Sequence, residues 1–207
     1  MFQLYSPNML KTFANCPKKF YFRYVKNISM PVSEDIFELG KNIHALASYY
    51  LRKENLSKLE AGLNERELSI WNYLKTITYF SYETVNTEYN LSVKLGNYFF
   101  GGRIDALVKD KDVYYILDYK TGTPPANPKY DYQTMIYLMA VRTFFNTNKI
   151  VFVYIDLKTR EEVKVVLTSE LIEEYETRLI NIAQNINDDI FDKKQNKCIC
   201  EYSKICY

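Results

Sequence analysis

Asp118-Tyr119-Lys120 places a carboxylate and an ammonium two positions apart. Along a strand such residues point to one face, so Asp118 and Lys120 project together while Tyr119 turns away. A carboxylate beside an ammonium at a strand end is what metal-assisted hydrolysis uses. On the surface the same pair is an ordinary ion bridge worth at most about 1 kcal/mol. Gly102-Arg103-Ile104-Asp105 lies just upstream and brings a second carboxylate. If the strand register sets Asp105 opposite Asp118, the two anions repel each other unless a cation lies between them. Mg²⁺ or Mn²⁺ is a hard ion that suits such oxygens.

Two further groups have the spacing to join them. Gln133 and Tyr137 are four residues apart and share one face of a helix. That helix is mostly apolar, through Met135, Ile136, Leu138, Met139 and Val141. Core packing accounts for a tyrosine there more readily than for the glutamine. His44 is the single histidine, one helical turn after Gly40. A glycine inside a helix costs about 1 kcal/mol against alanine, so Gly40 predicts a close approach by a neighbour. One imidazole joining two carboxylates gives a site that tolerates Mn²⁺.

The elements that must position these groups follow from period and capping. Ser6-Pro7 starts a helix to about Asn15, which stops before Cys16-Pro17. Phe20, Tyr21, Phe22 and Tyr24 form an aromatic patch. Ser33 caps a helix from Glu34 to about Arg52, and another spans about Glu65 to Tyr79. The period then changes to that of strands at Thr87–Lys94, Tyr98–Lys109 and Val113–Tyr119. Gly96-Asn97 and Asp110-Lys111-Asp112 supply the turns between them. After a Thr-Gly-Thr-Pro-Pro break, Asn127-Pro128 opens a helix to about Phe145. Strands at 149–157 and 162–167 precede a helix from Ser169 to about Asn187. This order predicts an α/β domain around a mixed central sheet flanked by helices.

Composition sets the limits. The 207 residues are 47% hydrophobic and 25% charged, with 6 glycines and 6 prolines, which excludes a disordered or low-complexity chain. No apolar run reaches the length of a membrane helix, and the first nine residues lack the pattern of a secretory signal. A cytoplasmic protein is expected, and its four cysteines then read as metal ligands or redox groups rather than disulfides. The net charge of +2 does not by itself announce nucleic acid. Its distribution is uneven, because residues 1–33 carry five bases and no acid, and residues 193–207 sum to +3. Both basic ends also hold all the cysteines. Should the cysteines draw the ends together, Lys18, Lys19 and Arg23 join one face suited to phosphate.

Gly40-X-X-X-His44, Gly102-X-X-Asp105, Asp118-Tyr119-Lys120 and Gln133-X-X-X-Tyr137, in this order, resemble the RecB-like branch of the PD-(D/E)XK nuclease superfamily. The resemblance covers nearly the whole chain. It implies a restriction-endonuclease-like core and a Mg²⁺- or Mn²⁺-dependent deoxyribonuclease. His44, Asp105, Asp118 and the Tyr119 backbone carbonyl would hold the ion. Lys120 would orient the attacking water and stabilise the transition state, and Gln133 and Tyr137 would position Lys120 or the DNA. Cys16, Cys198, Cys200 and Cys206 resemble the ligands of the iron–sulfur members, in which a 4Fe-4S cluster joins the chain ends. Cys198-X-Cys200 departs from the Cys-X-X-Cys usual there, and zinc suits four thiolates as well.

The resemblance implies one nuclease domain over 1–207. Residues 1–30 and 193–207 would form the iron–sulfur module, 34–80 a helical segment and 86–187 the nuclease core. Among iron–sulfur members, the stand-alone CRISPR-associated exonuclease is the most similar. That likeness implies digestion of single strands or overhangs during spacer acquisition, with the CRISPR integrase complex as partner. The alternatives are a repair nuclease of the AddB type working with a helicase, and a non-catalytic DNA-binding scaffold of the same fold.

Overall fold

The computed structural model describes residues 3–30, 38–188, 191–192 and 200–206. Its centre is a five-stranded sheet in the order β1-β2-β3-β4-β5, formed by Glu83–Leu95, Tyr98–Asp110, Val113–Lys120, Ile150–Asp156 and Glu162–Val166. The first three strands are an antiparallel meander, β3 and β4 are parallel, and β5 returns antiparallel. A parallel pair needs a crossover connection, and the helix Tyr132–Phe145 supplies it. With its neighbours in chain order, the helices are α1 Pro7–Asn15, α2 Pro17–Phe20, α3 Glu38–Leu51, α4 Ser57–Ala61, α5 Glu65–Leu74, α6 Tyr132–Phe145 and α7 Ser169–Asn187.

The sheet separates two apolar cores, as expected when helices cover both faces. Leu10, Phe13 and Phe20 from the N-terminal helices pack with α6 and α7 against Phe100, Ile116, Phe152 and Tyr154. On the other face α3 and α5 bring Ile43, Leu46, Trp71 and Leu74 against Val108, Leu117, Val153 and Ile155. No described helix is long and apolar enough to cross a membrane.

Caps explain most boundaries and the departures from expectation. Ser6 accepts from the Met9 amide and Pro7 fills the first turn of α1, as the sequence predicts. Cys16 then acts as the cap of α2, its Sγ accepting from the Lys19 amide at 3.4 Å. The aromatic patch after it is therefore helical, continuing as a wide turn through Tyr21–Val25. The helix expected to run to Tyr79 ends at Leu74, and Thr78–Ser81 form a separate tight turn. The β-branched run Thr76-Ile77-Thr78 is a poor helix continuation. The short α4 was not anticipated. Pro128 begins only a single tight turn, and α6 starts afresh at Tyr132 behind Asp131, whose side chain accepts from the Gln133 amide at 2.9 Å. For the second helix, the described residues begin at Glu38, so its expected start at Ser33-Glu34 lies outside them.

Among the described residues the two chain ends meet through Tyr202 and Glu201. The Tyr202 hydroxyl donates to the Ile28 carbonyl at 2.8 Å, and its ring stacks on Phe22 with centroids 5.6 Å apart. Lys19 pairs with Glu201 at 3.0 Å. Cys16, Cys200 and Cys206 are half-buried, while Cys198 lies outside the described residues.

Candidate active site

The β2–β3 ladder runs to Ala106 opposite Leu117. Asp105 and Asp118 are the next residues beyond it on the two strands. Asp105 turns its Oδ2 to the Tyr119 amide, which donates at 3.0 Å. Its Oδ1 lies 3.3 Å from His44 Nδ1, and His44 Nε2 is 2.9 Å from the Tyr119 carbonyl oxygen. The single imidazole, carried by α3, thus bridges a carboxylate and a backbone carbonyl.

Asp118 sits deeper, 4% exposed. Lys120 Nζ approaches its Oδ2 to 2.8 Å and donates to Gln133 Oε1 at 3.0 Å. The Gln133 amide nitrogen closes the triangle by donating to Asp118 Oδ1. The ammonium also lies 5.5 Å from the centroid of the Tyr154 ring, within cation–π range. Gln133 holds its place because Asp131 caps the helix directly before it. A glutamine on an apolar helix is explained here by two charged partners rather than by solvent.

Tyr137 has a different position. It is 5% exposed, and its hydroxyl donates to the Arg103 carbonyl at 2.9 Å. A contact with DNA is not what this buried ring offers; it ties α6 to β2 at the start of the site. Gly102 makes the tie possible, because a Cβ there would lie 2.7 Å from the Tyr137 hydroxyl. Gly40 is unlike it, since an added Cβ would meet Thr121 Oγ1 at an ordinary 3.5 Å. The close approach expected at Gly40 is absent among the described residues.

The electrostatics match the crowding. Burial opposes a charge on His44, but the Asp105 carboxylate and the Tyr119 carbonyl outweigh it and raise the imidazole to about 9. Burial, and then repulsion from Asp105, push Asp118 up to about 6 against the pull of Lys120. Asp118 Oδ2 is buried and, beyond the Lys120 ammonium, has no hydrogen-bond partner among the described residues. Carboxylate and carbonyl oxygens beside an imidazole, next to an under-partnered buried anion, are donors of the kind a divalent cation takes.

One residue escaped the sequence reading. Glu88 of β1 offers a carboxylate oxygen that, with ligand atoms of His44 and Asp105, forms a group within 4.8 Å of one another. Only the β1–β2 register brings it there, and no spacing in the sequence marks it. Arg103 and Glu88 line a cleft of about 580 Å³ together with Lys41, His44, Tyr49 and Lys120. Of the basic residues near the N-terminus, Lys18 lies over the Tyr21 ring, Arg23 lies over Tyr24, and Lys19 is held by Glu201.

Comparison with known proteins agrees with this architecture. No curated protein matches the sequence at a significant level. Among solved structures, a candidate exonuclease from Eubacterium rectale superposes with a TM-score of 0.63 at 13% identity, covering 96% of this chain and 86% of that one. A protein named SSO0001 superposes with a TM-score of 0.50 at 18% identity, covering 100% and 86%. Likeness at such identities speaks for the fold alone. The sequence model of the PD-(D/E)XK nuclease superfamily matches residues 5–77 and 59–207, nearly the whole length, and the chain belongs to that superfamily.

Proposed function

We propose that the protein is a divalent-metal-dependent deoxyribonuclease that hydrolyses phosphodiester bonds from the ends of single strands or overhangs. The observation that carries this reading is the Asp118–Lys120–Gln133 triangle set beside the Asp105–His44–Tyr119 carbonyl group. Asp105, Asp118, His44 and the Tyr119 carbonyl would hold Mg²⁺ or Mn²⁺. When bound, such an ion neutralises phosphate charge and lowers the pKa of water.

The chain's own groups do the rest. Lys120 presents a fixed ammonium at the edge of the cleft, where charge develops on the phosphoryl oxygens in the transition state. Gln133 accepts from that ammonium and prevents it from collapsing wholly onto Asp118. Tyr137 fixes the β2 backbone that carries Asp105. Lys18 and Arg23 on the joined chain ends suit the phosphates of the strand beyond the cut.

Cys16, Cys198, Cys200 and Cys206 would bind a 4Fe-4S cluster that reinforces the junction of the two ends, with zinc the rival occupant. The packing of residues 200–206 on the turn after Cys16 supports this reading. By resemblance the cleavage serves spacer acquisition beside a CRISPR integrase. A nuclease domain of 1–207, with a core at 86–187, is part of the same proposal.

The test is digestion of end-labelled single-stranded DNA by anaerobically purified protein. Mn²⁺ should give stepwise loss from one end and EDTA should stop it. Equal digestion in EDTA, or none in Mn²⁺ and Mg²⁺, overturns the reading. Iron and zinc analysis of the same protein identifies the cysteine-bound metal.

A further inference from the structure

Two unfavourable features meet at Glu88. Its backbone has φ +49°, the left-handed region that non-glycine residues rarely occupy, in the middle of a strand. Thr87 pairs with Ala106 and Tyr89 with Ile104, which sets Glu88 opposite Asp105 across the ladder. Like charges directly opposite on adjacent strands are destabilising. The present compensation is Arg103, whose Nε lies 2.9 Å from Glu88 Oε2. The Arg103 side chain is 64% exposed and lies in the same cleft as Lys120. An arginine at a cleft whose lining also includes Lys41, Arg52 and Lys120 is well placed for a phosphate, yet its Nε is paired with Glu88.

We propose that Glu88 is a metal-responsive clasp on Arg103. Without a divalent cation, Glu88 holds the guanidinium. With one held by His44 and Asp105, Glu88 exchanges Arg103 for the cation, and the released guanidinium takes a phosphate oxygen of the DNA strand in the cleft. Metal loading and substrate binding are thereby coupled, so that the chain grips DNA when it is competent to cut. The proposal rests on the nuclease reading above and adds to it a metal ligand and a phosphate contact.

The test uses two titrations. Calorimetry with Mn²⁺ should show Glu88→Gln binding the ion about tenfold more weakly than the parent. Arg103→Ala, a change at an exposed side chain, should bind it more tightly, because Glu88 no longer has a competing partner. Fluorescence anisotropy with a labelled single-stranded oligonucleotide, in a Lys120→Ala background to prevent digestion, reads the second half. Without metal, Glu88→Gln should raise DNA affinity several-fold, towards the Mn²⁺-loaded value. In an Arg103→Ala background the same substitution should change it little. Unchanged Mn²⁺ affinity in both single variants overturns the clasp. So does an equal gain in DNA affinity with and without Arg103, which is only the loss of a negative charge. Neither titration measures cleavage, so Mn²⁺-dependent digestion by the wild type can stand when the clasp fails.

Discussion

Lys120 divides its ammonium between the Asp118 carboxylate and the Gln133 amide oxygen, and it lies at the surface of the cleft rather than within either core. Lys120→Ala should therefore leave the fold and Mn²⁺ binding in place while lowering turnover by at least about 10²-fold. Circular dichroism, calorimetry and end-labelled digestion on the one variant check all three; cleavage at the wild-type rate removes Lys120 from the mechanism. The titrating groups give a pH prediction of definite sign. His44 is raised from 6.5 to about 9, so its contribution to metal-free stability is full below 6.5 and is lost as pH rises through about 9. Asp118 is raised from 3.8 to about 6, so its contribution is full below 3.8 and is lost as pH rises through about 6. Both groups must also give up a proton to a cation, and Mn²⁺ affinity should increase from pH 6 towards pH 9. Calorimetric titrations at several pH values would show it, and a flat profile would contradict the placement of these two ligands. At this scale much was legible. Two-residue and four-residue spacings put Asp118 with Lys120 and single out Gln133, because strand and helix periods are local properties. Glu88 was not legible, since its position depends on strand register and an unusual φ, neither of which a residue type announces.

The element that positions the site is the junction of α6 with β2. Tyr137 reaches the Arg103 carbonyl only because Gly102 has no side chain. Gly102→Ala should cost about 1–3 kcal/mol through overpacking against the hydroxyl. Tyr137→Phe should cost about 1 kcal/mol for the lost bond, and in that background Gly102→Ala should cost less than it does alone. A double-mutant cycle by denaturant unfolding measures the coupling; strict additivity would mean that the two residues act independently. The five strands, the meander of the first three and the helix after it followed from alternation and turn residues between 87 and 167, whereas the parallel pairing of β3 with β4 did not. Helix ends followed less well. Leu74 ends α5 where the apolar stripe continues, and Asp131 rather than Pro128 sets the start of α6. In both places a local competition, β-branching in one and side-chain capping in the other, overrode periodicity.

At the scale of the whole molecule, the basic ends close on each other through Ile28 and Tyr202, 174 positions apart in the chain. Tyr202 is 2% exposed, so Tyr202→Ala should remove about 3 kcal/mol of packing and one buried bond. Thermal unfolding should shift downward as a single transition if the junction of the two ends belongs to the cooperative unit. An unchanged midpoint would show that residues 200–206 detach without cost to the fold. The cysteines hinted at this meeting from both ends of the sequence, but the ring stack of Phe22 on Tyr202 and the Lys19–Glu201 pair were invisible, because contacts this distant carry no local pattern.

The proposed mechanism turns on a cation between the aspartates of β2 and β3. Anomalous scattering from a crystal soaked in Mn²⁺ would locate that ion. One strong peak is expected in coordination contact with both Asp105 and Asp118, beside His44 and the Tyr119 carbonyl. A peak elsewhere, with the imidazole still bridging Asp105 and that carbonyl, would contradict it.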